Sequence, residues 1–118
     1  MVRPQERVPV TEENLFAKII KDLDNFDQKV LFALHELKDK QGALTIVTSR
    51  FELFGMLRME YTQDNVDKLD ETLEGLVQAP FYLQGPSGFA IATRAIQDWG
   101  EEDKTERLII ILGKLFTL

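Results

Sequence analysis

The sequence predicts an α+β domain, and three observations carry the prediction. Apolar residues recur at helical spacing over Leu15–Leu23, Val30–Leu37 and Val66–Val77. A short β-branched run, LTIV at Leu44–Val47, stands between two of these stretches. FYLQGPSGFAIAT, Phe81–Thr93, has two β-prone arms around a Gly-Pro-Ser-Gly turn.

Taken in order, Met1–Val10 is predicted to be a flexible arm, since Pro4 and Pro9 disfavour helix and chain ends fray. One domain then covers Thr11–Leu118. Thr11 suits an N-cap, with Glu12 and Glu13 in the first turn, and Leu15, Phe16, Ile19, Ile20 and Leu23 form the apolar face. Asp24–Asp27 breaks this helix. Asp27 is the expected cap of the next, with Phe26 and Leu31 as a hydrophobic staple and Gly42 as the C-terminal glycine. After the LTIV strand, Thr48 or Ser49 caps a mostly apolar helix that reaches Met59. Thr62 caps another, whose core stripe is Val66, Leu69, Leu73, Leu76 and Val77 and which Pro80 closes. The Phe81–Thr93 hairpin follows. The last stretch, Asp98–Leu118, is predicted to be helical, although Leu108–Leu112, LIIIL, also fits a buried strand.

Composition narrows the function. The chain has 118 residues, 44% of them hydrophobic, enough for one core. Its net charge of −6 and pI of about 4.8 repel nucleic acid at long range. There is no cysteine, hence no disulfide or thiolate chemistry. No signal peptide is recognisable, and no apolar run nears the roughly 18 residues of a membrane span. The expectation is a soluble cytoplasmic protein.

Catalytic, metal and cofactor residues are not in evidence. His35 is the only histidine and lies on a helix beside Leu34 and Leu37. Any metal would need carboxylates alone, which favour Mg²⁺ or Ca²⁺. GPSG lacks the spacing of a phosphate loop and joins strands instead of opening a helix. The chain therefore reads as non-enzymatic, with no cofactor.

The order strand, helix, turn, helix, hairpin across Asp27–Thr93, with MEYT (Met59–Thr62) as the turn, resembles the winged helix-turn-helix superfamily. The extra helices at both ends resemble dimeric regulators of the MarR and PadR type. The run FDQKVLFALHELKDKQGALTIVTSRFELFGML resembles the N-terminal winged-helix domain of plasmid replication initiators. That second resemblance implies a dimerisation and regulatory domain whose partner domain does most of the DNA binding.

The helix in the DNA-reading position, TQDNVDKLDETLEGLV, carries Asp64, Asp67, Asp70, Glu71 and Glu74 against Lys68 alone. Asp67, Asp70, Glu71 and Glu74 share one stripe, expected to be a solvated face or a surface for a basic partner. Arg50, Arg58, Gln63, Asn65 and Lys68 are the candidate nucleic-acid contacts. The apolar C-terminal segment is the candidate dimer interface, through Leu108, Ile111, Leu112, Leu115 and Phe116. The function expected is a dimeric regulatory module in DNA transactions, in transcription or replication control, acting mainly through protein–protein contacts. Duplex DNA would be a weak or partner-assisted ligand. The alternatives are the initiator N-terminal domain, or an acidic DNA mimic that occupies a basic protein.

Overall fold

The structure is a computed structural model and describes residues 20–84, 90–102 and 106–117. The predicted arm, the first part of the Leu15–Leu23 helix and the GPSG turn lie outside them.

Helix α1 spans Asn25–Gln41. Its cap is Asp24, whose side chain accepts from the Asp27 N–H; Asp27, the expected cap, sits in the first turn. Gly42 ends the helix at φ 68°, the left-handed conformation glycine adopts without a Cβ penalty. The stripe Val30, Leu31, Leu34 and Leu37 is buried as its spacing predicts. Strand β1, Thr45–Ser49, follows. Ser49 caps α2, Arg50–Leu57, and Thr62 caps α3, Gln63–Gln78. Both hydroxyls accept from the N–H three residues on. Leu69, Leu73 and Leu76 of α3 enter the core.

Strands β2, Pro80–Gln84, and β3, Ala90–Arg94, form the predicted hairpin. They make a separate two-stranded sheet. The sheet that includes β1 is completed by β4, Ile96–Glu101, and β5, Arg107–Leu112, in the antiparallel order β1-β5-β4. The hairpin beside β1 is thus β4–β5.

The C-terminal helix is a correction. Leu108–Leu112 belongs to β5, and only a 3₁₀ turn, Lys114–Thr117, follows. Leu108, Ile110 and Leu112 face inward at 0–3% exposure, while Ile109 and Ile111 take the outer face. A five-residue apolar run has no decisive period, and its isoleucines favour a pleated ladder. Leu115 and Phe116 are also buried. Four of the five expected dimer contacts, Leu108, Leu112, Leu115 and Phe116, are therefore core of their own chain, and Ile111 is half-buried in the central strand. Those four belong to one buried cluster with apolar residues of α1, α2, α3, β1 and β4.

One charged group near the core costs stability. Burial, and then the nearby Asp24 carboxylate, raise the Asp27 pKa, against a lowering hydrogen bond from Thr72. An acid with a raised folded-state pKa favours folding as the pH falls through that value and is a liability above it. Asp27→Asn is expected to raise the melting temperature slightly at pH 7. The gain should vanish near pH 3, below the usual carboxylate range of about 3.9. Thermal melts of both proteins at the two pH values check this.

Candidate functional site

The helix-turn-helix face is built from α2, the turn Arg58–Thr62, α3 and the β4–β5 end of the sheet. Ser49 fixes the start of α2 and so places Arg50 at its first position. Arg50 does not face solvent. Its Nε and Nη2 donate to the two carboxylate oxygens of Asp70 on α3, each at 2.9 Å. Its Nη1 lies 3.2 Å from Glu101 Oε2 at the end of β4. Hydrogen bonding to Asp70, reinforced by Glu101, holds the guanidinium pKa above its usual value despite burial. With Arg50 only 8% exposed, the three groups clamp α2, α3 and β4 together.

A second set of contacts ties the same elements. The Trp99 Nε1–H on β4 donates to Glu74 on α3 at 3.2 Å. Tyr61, in the turn, packs edge-on against Phe54 at 5.3 Å between ring centres. Its hydroxyl donates to Glu106 at 3.2 Å, just before β5. Burial, then Glu106, raises the Tyr61 pKa. The acidic stripe is thus not simply solvated. Asp70 and Glu74 turn toward the sheet, and Asp67 accepts from Gln63 at 2.9 Å.

The remaining candidate contacts are largely engaged within the chain. Lys68 sits over the Phe26 ring, 4.6 Å from its centre. The Asn65 amide donates to the Glu60 carbonyl at 2.8 Å. Gln63 is held by Asp67. Arg58 is exposed, in the left-handed region at φ 58°, where it caps α2. The structure gathers Gln63, Asn65 and Lys68 on the first half of α3, puts Arg58 at the turn, and buries Arg50.

The connection from β4 to β5 is acidic in sequence as well. Glu101–Arg107 holds four acids and two bases, and Arg107 pairs with Glu102 at 3.3 Å. Both elements by which such a fold would approach a phosphate backbone therefore present carboxylates. Binding to phosphates draws on several uncommitted Lys or Arg side chains, and among the described residues this face offers Arg58. His35 lies 3.4 Å from Asp39, its ring 6.1 Å from that of Phe116, a structural setting. Among the described residues, no group of three or more His, Asp or Glu side chains is placed to hold a metal ion. Among them, too, no helix is long and apolar enough to cross a membrane.

Sequence reasoning missed Trp99, Glu101, Tyr61 and Glu106. Only Arg50 carried a usable signal: an arginine directly after a cap, on a helix whose other residues are mostly apolar, tends to need an acid nearby.

The chain has a winged-helix fold. It is similar to the X-ray structure of the WH1 domain of MSBI1.176, a replication protein isolated from a multiple sclerosis patient. The TM-score is 0.59 at 14% identity, over 87% of this chain and 84% of that one. No protein-family model and no curated protein matches the sequence.

Proposed function

We propose that the chain is a non-enzymatic winged-helix module in DNA transactions, in the control of replication or transcription. It acts as a dimer through protein–protein contacts instead of reading DNA by itself. The observation that carries this reading is the commitment of Arg50 and Lys68 on the reading face, which leaves Arg58 as its exposed base among the described residues. Arg50 is neutralised by Asp70 and Glu101, Lys68 rests on Phe26, and the exposed groups around them are mainly acids. The similarity to a replication protein's WH1 domain supports the DNA-transaction context. An initiator-type division of labour fits the same facts, with a second domain supplying the bases.

Fluorescence anisotropy with a broad set of labelled duplexes tests the reading. At physiological salt the chain alone is expected to bind no tighter than the roughly 10⁻⁴–10⁻⁶ M of non-specific contact. A sequence-selective Kd in the range of about 10⁻⁸–10⁻¹¹ M would overturn it.

A further inference from the structure

Among the described residues, strand β1 is an edge of the three-stranded sheet, with β5 on one side only. The Leu112 N–H donates to the Leu44 carbonyl. By the alternation of an antiparallel ladder, Ile46 and Thr48 then also bond toward β5, and Thr45, Val47 and Ser49 point their amides to the open side. At Val47, the middle residue, that open side is filled by a side chain. The Gln41 amide donates to the Val47 carbonyl at 2.8 Å, and the Val47 N–H donates to Gln41 Oε1 at 3.1 Å. Gln41 is the last residue of α1 and is exposed, so it imitates one residue of a missing neighbour strand and can leave.

The edge lies in an uncharged part of the chain; the longer stretch 75–93 is uncharged as well. Gly42–Ser49 has no charged residue, in a chain with 34 of them. Leu44, Val47 and Phe51 are exposed at 40%, 43% and 75%.

We propose that the β1 edge pairs with β1 of a second copy, antiparallel about a two-fold axis at Val47, with Gln41 as the displaceable guard. This rests on the dimeric reading above and names its surface. Two facts select a second copy. Two chains of net charge −6 repel one another, and the edge is a neutral stretch on which they can meet. The strand TIVTS is also self-complementary in this register. Each Val47 offers a donor and an acceptor to the other, Thr45 faces Ser49, Ile46 faces Thr48, and no like charges are opposed.

Sedimentation velocity over a wide concentration range, on three variants beside the wild type, tests the proposal. Gln41→Ala removes the competing amide and is expected to tighten the dimer about tenfold. Val47→Pro deletes the outward N–H without touching a bond to β5, and should give a monomer. Val47→Lys keeps the backbone donor and sets two ammonium groups opposite each other; it should also give a monomer, whether or not proline perturbs the fold. A dimer whose affinity ignores all three changes would overturn the β1 edge while leaving dimerisation intact. A wild type and a Gln41→Ala variant both monomeric at high concentration would overturn the edge and the dimeric reading together.

Discussion

Asp70→Ala is expected to destabilise the chain by about 3 kcal/mol, a fall in Tm of roughly 10 °C for a domain of this size. The reason is the state in which it leaves Arg50. That side chain is 9% exposed and loses two hydrogen bonds of 2.9 Å from the same carboxylate. Glu101, at 3.2 Å, remains but is half-exposed and makes a single contact. A guanidinium out of water without its main partner costs far more than an exposed pair contributes. Because the clamp joins α2, α3 and β4, the loss is spread over the whole helix-turn-helix face. The paired change Arg50→Met with Asp70→Leu removes both charges and should recover most of the stability. Chemical denaturation of the three proteins decides the matter. An Asp70→Ala variant within about 0.5 kcal/mol of the wild type, the ordinary range for a surface substitution, would mean that the clamp is not buried as described.

Gly113→Ala is expected to cost about 3 kcal/mol for a different reason. Gly113 follows β5, and its N–H donates to the Ala95 carbonyl at 2.8 Å, where the chain passes between β3 and β4. A Cβ at this position would stand 2.2 Å from the Arg94 carbonyl oxygen and 2.9 Å from its carbon. These are backbone atoms of the β3–β4 corner, not the end of a side chain that can swing away. The methyl group must push the two segments apart, and overpacking of this kind typically costs about 1–3 kcal/mol or more. The expected signature is a lowered midpoint with an unchanged denaturant dependence. The control is Gly75→Ala on α3, where a Cβ meets nothing within 4 Å. It should stabilise, since alanine is the better helix former by roughly 1 kcal/mol. Equal effects at the two glycines would contradict the close approach at Gly113.

Helices α1, α2 and α3 were legible because their signals are local. Ser49, Thr62 and Gly42 mark their ends, and Leu31, Leu34, Leu69 and Leu73 repeat at helical spacing. The winged-helix order was legible for the same reason. Strand β5 was not: LIIIL is too short to show a period, and what makes it a strand is β1, about sixty residues earlier in the chain. Leu108, Leu112, Leu115 and Phe116 thereby pass from a supposed interface into the core. The site was legible in its charge and not in its wiring. Five acids on α3 are plain in the sequence, but Asp70 reaches Arg50 twenty residues away and Glu74 reaches Trp99 across the fold. Helical spacing alone could not separate those two from a solvated stripe.

The central claim is that this winged helix works by meeting protein and not by reading DNA alone. Sedimentation velocity of the chain mixed with a fluorescent duplex, at physiological salt and in protein excess, tests it most directly. The account predicts that the duplex sediments at its own rate while the protein boundary shifts from monomer to dimer as its concentration rises. A duplex carried into a faster protein–DNA boundary, with no self-association of the protein by itself, would contradict it.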